Sequence, residues 1–390
     1  MSRLQAKLQL DGQPMNTSVL AFKLAPRLRP SVWALRMTPF AALAMTVLLS
    51  ALLFSMQGAP PIKGIVTLVV TPVSSLGGLA EVLLKACPLS ITALGLAVAF
   101  RTGVNNIGAE GQVILGGIGA TAVALHMPPD VPTWLATFTV LVGGAFGGGA
   151  WAALPAMLRT RFSVNETLSS LLLVYVAGQL LSWLTGGPWR DPQGLNFPET
   201  ALFNSNVTLP GVAAMGWSLW DGTRLNLGLA VAVVAVISTI LFIDKSRIGY
   251  ELIVAGQSAR AASYAGISKP MAIWVAFLFS GGAAGLAGAV EVSGSLGQLQ
   301  AGWVPGYGFT AIVAAYLGRL KPASIAVSAV LLALVDIGSL NLQMELGLPS
   351  ALSYLIQGVL LLSILGMDLL VRYELQRKAQ VNRPIGAQGV

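Results

Sequence analysis

The sequence predicts an all-α polytopic membrane protein with about ten transmembrane helices, eight of them forming two inverted four-helix repeats. The first observation is composition: 55% of the 390 residues are hydrophobic and only 10% are charged, too few to cover a water-soluble fold. The second is a series of apolar segments close to the roughly 20 residues that an upright helix needs to cross a bilayer. The abundance of apolar surface also excludes a disordered chain.

Ten segments are apolar enough to be predicted as transmembrane helices, although the second and the eighth are short. The polar, basic stretch before the first is too long for an ordinary signal-peptide n-region, so the first helix is predicted to be a retained anchor. In chain order the segments are 38–56, 86–101, 110–127, 133–158, 167–187, 224–243, 271–292, 306–318, 322–341 and 351–371. They divide the chain into a basic N-terminal segment 1–37, a membrane domain 38–371 and a C-terminal tail 372–390.

Lysine and arginine predict the orientation. If the N-terminus is cytoplasmic and the chain crosses ten times, all but four of the 23 Lys and Arg residues lie inside; the four are Lys63, Lys85, Arg190 and Arg224. The positive-inside rule requires this bias, and a missed helix would destroy it. Both termini are therefore predicted to be cytoplasmic, and the formal charge of +8 reflects topology rather than a nucleic-acid surface.

The chemistry-bearing residues exclude several classes of enzyme. The chain has one Cys, Cys87, and one His, His126, so neither an internal disulfide nor a zinc site is expected. No phosphate-binding loop, nucleophile elbow or zinc-protease motif occurs. We expect no catalytic residue, no metal and no cofactor, and any work driven by a nucleotide must come from another chain.

Two loops are long enough to bind partners. The outer loop, about 188–223, is rich in Pro, Asn and aromatic residues, and it is either a solvated connector or a docking rim. The longest internal inner loop is about 244–270, and its part from Ser258 to Ala265 favours a short amphipathic helix. Gln257 or Ser258 is a plausible N-cap and Gly266 a plausible stop. That helix is either an interfacial element or a knob that fits a soluble motor subunit.

Two polar interruptions point to a translocation site. They lie at 101–112 and 291–309, and each follows the first helix of a four-helix group, helices 2–5 and 7–10, whose predicted directions are opposite. Broken segments in inverted repeats mark the pathway in many transporters, because irregular backbone at membrane depth must be buried or line a wet cavity. Residues predicted to line or shape this pathway are Asn105, Asn106, Glu110, Gln112, Glu291 and Gln298.

Glu110 is the leading intramembrane acid, followed by Glu291 and Asp336, since ionisable residues in lipid are costly and default to a functional interpretation. The alternative is that Glu110 and Arg101 lie at the interface and only stabilise a turn. Amide and carboxylate groups in such a place suit a hydroxyl-rich solute, because they donate and accept hydrogen bonds.

Several of these segments resemble motifs of one family. The run 100–112, FRTGVNNIGAEGQ, is similar to a signature of the permease subunits of ABC importers for simple sugars and nucleosides, in the branch that works with basic-membrane-lipoprotein-type binding proteins. In the same order follow RFSVNE at 161–166, GPWRDP at 187–192, the 256–267 stretch and PGYGFTAI at 305–312. The resemblance covers about 85–365. Asn105 and Thr310–Ala311 depart from the common pattern, which bears on the substrate.

The resemblance implies a multi-pass subunit of a bacterial cytoplasmic membrane importer, no enzyme by itself, for a nucleoside or a simple sugar. It implies a second permease copy or a sister permease, two cytoplasmic ATP-binding subunits and an extracytoplasmic solute-binding protein. The residues expected to couple to the ATPase are Gln257, Ser258, Arg260, Ala261, Tyr264 and Gly266, and those expected to dock the binding protein are Trp189, Arg190 and Asp191.

Two other classes remain open at this point. An ion-coupled secondary transporter with the same repeats would need a buried ionisable pair for its ion, and the single His and few buried acids count against it. A membrane scaffold that transports nothing would not stimulate a partner ATPase in response to substrate.

Overall fold

The computed structural model describes residues 22–26, 32–303, 306–349 and 351–377, and within these ranges the protein is helical apart from one short strand pair. The strands are β1 (Phe22–Pro26) and β2 (Tyr373–Arg377). The helices are α1 (Val32–Met56), α2 (Pro61–Val69), α3 (Leu76–Arg101), α4 (Ala109–Leu125), α5 (Thr133–Phe162), α6 (Glu166–Gly186), α7 (Gly228–Lys245), α8 (Arg247–Gln257), α9 (Ala259–Tyr264), α10 (Lys269–Glu291), α11 (Tyr307–Leu317), α12 (Pro322–Leu346) and α13 (Leu352–Arg372).

The chain divides into two compact units, and the smaller one comprises Met1–Thr46 with Leu362–Val390. Its strands pair antiparallel, with Phe22 opposite Arg377 and Pro26 opposite Tyr373. β1 falls within the segment predicted as a polar N-terminal extension, and β2 falls within the predicted tail. The remainder of those two predicted segments lies largely outside the described residues.

The larger unit, Val47–Leu361, is built around α3, whose residues from Ala86 to Ala99 are all buried. α4, α5 and α10 pack on one another through glycines. A Cβ added at Gly116 would lie 2.3 Å from the Cα of Gly285, so the backbones of α4 and α10 are in direct contact. Small residues are what allows helices to approach this closely.

Six helices among the described residues are long and apolar enough to cross a membrane, by length and composition: Leu76–Arg101, Thr133–Phe162, Glu166–Gly186, Gly228–Lys245, Lys269–Leu296 and Pro322–Leu346. Five apolar helical stretches are shorter: Ala41–Met56, Pro61–Val73, Ala109–Leu125, Tyr307–Leu317 and Tyr354–Ser363. The all-α prediction is confirmed at this level.

The stretch 57–85, predicted as an outer segment, is mostly helical. It contains α2, a 3₁₀ turn at Thr71–Val73 and the first turns of α3. Ser75 caps α3 by accepting a hydrogen bond from the Gly78 amide at 3.0 Å, so the Ser and Gly residues that indicate a loop in the sequence begin a helix instead. Lys85 is consequently not in a loop: it lies on α3, nine residues beyond Leu76.

The inner loop contains two helices where one was predicted. α9 lies where the sequence favours a short helix, and the Ser258 hydroxyl caps it by accepting from the Ala261 amide at 3.2 Å. Gly266 follows α9 with a φ of +73°, the left-handed conformation of a glycine stop. α8, capped by Ser246 in the same way, is additional.

Candidate functional site

The first interruption is a short turn between α3 and α4 that is stabilised by a buried pair of amides. The Asn106 side chain donates to Gln112 Oε1 and to Ser280 Oγ, both at 2.9 Å, and Gln112 donates back to Asn106 Oδ1 at 3.1 Å. The Gly108 amide also donates to Asn106 Oδ1, at 3.0 Å. The side chains of Asn106 and Gln112 are essentially inaccessible, with 0% and 1% exposure. Their hydrogen bonds are made inside the protein, which gives them a role in shaping the turn.

Asn105 is placed differently from its neighbour, because its side chain is exposed. The turn that carries it lies close to the inner loop. A Cβ added at Gly256, near the end of α8, would lie 2.0 Å from the carbonyl oxygen of Arg101. A cavity of about 100 Å³ adjoins this contact and is lined in part by Gly103, Arg159 and Glu166. The first interruption and the inner loop thus form one continuous region.

Glu110, at the start of α4, joins the two interruptions. Its carboxylate accepts hydrogen bonds from the backbone amides of Gly306, at 3.0 Å, and Gly308, which lie 196 and 198 residues further along the chain. The side chain is 1% exposed. These amides belong to the N-terminus of α11, where a carboxylate satisfies unpaired donors and interacts favourably with the helix dipole.

The second interruption runs along α4 before α11 begins. Trp303 packs over Gly117, where an added Cβ would lie 2.5 Å from its ring, and Gly306 lies at Glu110, about two helical turns earlier on α4. α11 then has 11 residues, so it is about 16 Å long, roughly half of a hydrocarbon core. α11 is therefore a half-length helix that begins inside the bundle.

The second interruption also holds the outer loop. It begins with a π-helical turn, Val292–Leu296, and its backbone then pairs with the loop. The Thr200 amide donates to the Leu299 carbonyl at 2.9 Å, and the Phe203 amide donates to the Gly297 carbonyl at 2.8 Å. Gln298 donates to Glu199 Oε2 at 2.9 Å. Gln298 is therefore a partner of the outer loop and lies apart from the Asn106–Gln112 pair.

Glu291 occupies a polar cluster that the sequence indicated only in part. Its carboxylate accepts from the Tyr307 hydroxyl at 2.9 Å and from Ser295 Oγ at 3.3 Å. The Lys85 ammonium lies 4.5 Å from the centre of the Tyr307 ring. Hydropathy places Lys85 in a loop, and Tyr307 falls where the second interruption and the predicted helix 306–318 overlap, so neither is selected from the sequence.

Asp336 is paired in a different way, because it accepts a hydrogen bond from Gln357 Nε2 at 2.6 Å. The other end of that amide, Gln357 Oε1, accepts from Thr310 Oγ1 at 3.2 Å. Asp336 thus connects α12, α13 and α11 through one glutamine.

The residues expected to couple to an ATPase lie on an exposed surface. Tyr264 is 99% exposed, and Gln257, Ser258, Arg260, Ala261 and Gly266 are also exposed, whereas Ala262 on the same helix is buried. α9 therefore turns the small side chain of Ala262 inward and presents Arg260, Ala261 and Tyr264 to the surroundings.

The residues expected to dock a binding protein are half-buried and help to fold the outer loop. Trp189 packs against the core, and Arg190 donates to Asn196. The Asp191 carboxylate accepts from the Gln193 amide at 2.9 Å. The most exposed apolar residues of the loop are others, among them Leu195 at 88%, Trp217 at 65% and Phe197 at 63%.

An apolar helical bundle in which two interrupted segments meet, one of them opening a half-length helix, is the architecture of a membrane transport protein. The chain belongs to the family described as branched-chain amino acid transport system / permease component, whose model matches residues 78–365.

Relatives with assigned names agree with this family. The chain is 33% identical to a glucose ABC transporter permease protein of Haloferax volcanii, an alignment that covers 90% of this chain and 92% of the relative. It is 31% identical to a guanosine ABC transporter permease protein of Bacillus subtilis, over 73% and 80% of the two chains. It is 27% identical to a nucleoside ABC transporter permease protein of Lactococcus lactis, over 78% and 83%.

The predicted family and the predicted class of function are confirmed by these comparisons. The chain is an ABC transporter permease component, which is a transport subunit and no enzyme. The ion-coupled alternative is not favoured. ABC permeases act together with ATP-binding and substrate-binding components, so partners of these kinds are implied in general by the family.

Proposed function

We propose that this chain forms the translocation pathway of an importer for a nucleoside or a simple sugar, delivered by an extracytoplasmic solute-binding protein. The observation that carries the proposal is the meeting of the two interrupted segments at Glu110, 196 residues apart in sequence, in a chain of this family. Such segments occur where irregular backbone lines a cavity. Glu110 fixes their relative position, and Glu291 and Gln298 extend the polar region toward the outer loop.

The proposal includes the finer topology: ten crossings, inverted repeats formed by helices 2–5 and 7–10, and cytoplasmic termini in the inner membrane. The Lys and Arg distribution supports it even with Lys85 moved onto α3, since that residue then leaves the loop count altogether. The half-length α11 supports the inverted repeat, because interrupted helices in such transporters occur at corresponding positions of the two halves.

The substrate class rests on chemistry and on the relatives. The named relatives are permeases for glucose, guanosine and nucleosides, which are neutral and rich in hydroxyl groups. Carboxylate, amide and hydroxyl side chains suit such solutes because each accepts or donates hydrogen bonds without requiring a charge on the ligand. Uptake of labelled guanosine, ribose and glucose by vesicles that carry the complete transporter tests the class. Absence of uptake of all three neutral solutes would overturn it.

The mechanism places α9 against a cytoplasmic ATP-binding subunit. Its exposed residues, including Arg260 and Tyr264, would contact the motor, and movement would pass through α8 to the turn at Arg101, which Gly256 touches. Two ATP-binding subunits and a second permease copy or sister permease complete the assembly. The outer loop would dock the binding protein, with Leu195 and Phe197 as exposed contacts beside Trp189, Arg190 and Asp191.

Charge reversal at Arg260 tests the coupling surface. For Arg260→Glu we expect uptake and co-purification of the ATPase to fall about tenfold or more, which corresponds to about 1.4 kcal/mol of binding free energy. Lys245→Glu is the matched control, since Lys245 is an exposed cation in the same inner loop but lies at the end of α7. Unchanged assembly and uptake in Arg260→Glu would remove Arg260 from the contact.

The same preparation separates the proposal from an ion-coupled transporter. Uptake by an ATP-driven importer stops when the partner ATPase is inactivated, and it persists when a protonophore collapses the ion gradient while ATP is supplied. The reverse pattern would identify the ion-coupled class.

A further inference from the structure

A cleft of about 210 Å³ opens beside α3 at the end of the bundle that carries the outer loop. It is lined by charged and polar side chains from four separate parts of the chain: α3, the end of the outer loop, the second interruption with α11, and α12. Glu81, Lys85, Arg224, Glu291, Ser295 and Tyr307 provide its polar groups. Its volume is smaller than the roughly 300–1,000 Å³ that is usual for drug-sized ligands, so only a small solute fits.

An ion pair between Arg224 and Glu81 at the mouth of the cleft connects the outer loop to α3. Arg224 lies near the end of the outer loop, four residues before α7 begins, and it donates to both carboxylate oxygens of Glu81, at 2.9 and 2.7 Å. Two parallel bonds of this kind are geometrically specific. Deeper in the cleft, the Lys85 ammonium sits over the Tyr307 ring, and the Tyr307 hydroxyl donates to Glu291.

Exposure of the cleft to lipid in the assembled protein is energetically costly, since each exposed charge near the bilayer centre costs about 2.5–3.5 kcal/mol or more. Lys85 lies about 14 Å along α3 from its N-terminus, so it is well inside a helix that is long enough to span a bilayer. The Lys85 ammonium and the Glu291 carboxylate, which lie deeper than the ion pair at the mouth, therefore require water, protein or a polar ligand.

We propose that this cleft is the solute-recognition site of the chain and that it binds a neutral, polyhydroxylated ring, such as a sugar or the ribose of a nucleoside. The inference rests on the proposed function and locates solute binding at a particular site in the chain. Glu81, Lys85, Arg224 and Glu291 balance in formal charge, so the lining favours a ligand without net charge. Carboxylate oxygens accept from hydroxyl groups, the ammonium donates to them, and Ser295 does both.

The wall of the cleft also suits a ring. Tyr307 is held by its hydrogen bond to Glu291 and by the ammonium over its face, so the polar groups are ordered before a ligand arrives. Ordered groups lose less conformational entropy on binding. Ile337 and Leu340 of α12 provide an apolar side on which the carbon face of a sugar ring can pack.

The single native thiol makes the test direct. Cys87 is buried, and Cys87→Ser gives a thiol-free background. In that background Ser295→Cys places one thiol in the cleft, and Leu340→Cys places one at its rim in case the first variant does not fold. Right-side-out vesicles that carry the complete transporter are treated with a charged, membrane-impermeant thiol reagent, with and without guanosine, ribose or glucose.

We expect the cleft thiol to react and one of these neutral solutes to slow the reaction about fivefold at a concentration of about four times its Kd. Glucose 6-phosphate, which carries a net charge, should not protect. Ser218→Cys, in an exposed part of the outer loop, is the matched control: it should react at the same rate with and without solute.

Two results would overturn the proposal. One is a thiol at both cleft positions that never reacts, which would mean that the cleft is closed to water. The other is reaction without protection by any of the three solutes in vesicles that take up one of them, which would leave the proposed importer intact and move recognition elsewhere. Absence of all uptake, by contrast, would count against the proposed function itself.

Discussion

The two interruptions of the helical bundle differ in where their hydrogen-bond partners come from. The first, between Arg101 and Ala109, is closed mostly by its own residues: Asn106 and Gln112 bond each other, and other helices add the hydroxyls of Ser280 and Ser170. The second, between Glu291 and Tyr307, has one hydrogen bond between its two ends but is otherwise held by distant partners, namely Glu110 and the outer loop. An interruption whose polar groups are hydrogen-bonded within it forms a fixed turn. An interruption whose hydrogen-bond partners lie in other segments can exchange those partners. We therefore expect movement to concentrate in the second.

Removing the link between the two breaks should have the largest effect. Glu110→Ala leaves the Gly306 and Gly308 amides without their acceptor, and each unsatisfied buried donor costs about 1–3 kcal/mol, so we expect roughly 4 kcal/mol of lost stability and loss of uptake. Reaction of the buried Cys87 thiol with a dye during heating in detergent reports unfolding. Glu110→Gln, which keeps one acceptor oxygen, should lose less, and a Glu110→Ala midpoint equal to wild type would contradict the link.

Breaking the amide pair tests whether the first interruption is self-sufficient. Asn106→Ala leaves Gln112 and the Gly108 amide unpaired in a buried place and should cost about 3 kcal/mol in the same assay. The neighbouring exposed residue is the control: Asn105→Ala should stay within about 0.5 kcal/mol of wild type. Equal effects at both positions would mean that the hydrogen bonds of Asn106 do not stabilise the turn.

A single methyl group tests the contact between α11 and α4. The Cβ of Gly308→Ala would lie 2.1 Å from the Glu110 backbone nitrogen, so α11 must shift, at a cost of about 2 kcal/mol. Gly302→Ala adds the same methyl in the same interruption, where no atom lies within 4 Å, and should be near neutral. If the two variants have the same unfolding midpoint, α11 does not begin against α4.

The smallest effect is expected where the second interruption meets the outer loop. Gln298→Ala removes one half-buried hydrogen bond to Glu199 and should cost about 1 kcal/mol, while the backbone bonds between the segments remain. Hydrogen exchange should quicken at Thr200 and Phe203 and stay unchanged at Gln112. Faster exchange at all three amides would show that the two breaks are not independent.

The sequence predicted features that depend on neighbours along the chain. The Ser258 cap and the Gly266 stop of α9 follow from local hydrogen bonding and backbone conformation, so residue type indicates them. The polar runs at 101–112 and 291–309 indicated correctly that helices end near Arg101 and Glu291. Features that depend on distant contacts could not be predicted in this way: the acceptors of Gly306 and Gly308 are supplied from 196 and 198 residues away.

Lys85 shows why hydropathy was wrong at one end of α3. A lysine, a glutamate and two glycines near the start of a helix lower its mean hydropathy, and they made the first ten residues of α3 look like a loop. In the structure Lys85 is partnered by an aromatic face and by nearby carboxylates, and this pairing is invisible to a sum over consecutive residues. The contacts of the outer loop were harder to predict than the start of α3. Trp189, Arg190 and Asp191 make contacts that fold the loop itself, and these depend on its three-dimensional structure.

The glycine contacts among α4, α5 and α10 have a mechanical consequence. Backbones that touch at Gly116, Gly148 and Gly285 leave no side chains between them whose rotation could absorb a displacement. These three helices should therefore travel as a single rigid body whenever the protein changes between access states, and a hinge cannot lie among them. A cross-link between α4 and α10 should therefore leave transport intact. The movement that opens and closes the pathway is expected instead where α11 contacts Glu110 and Glu291.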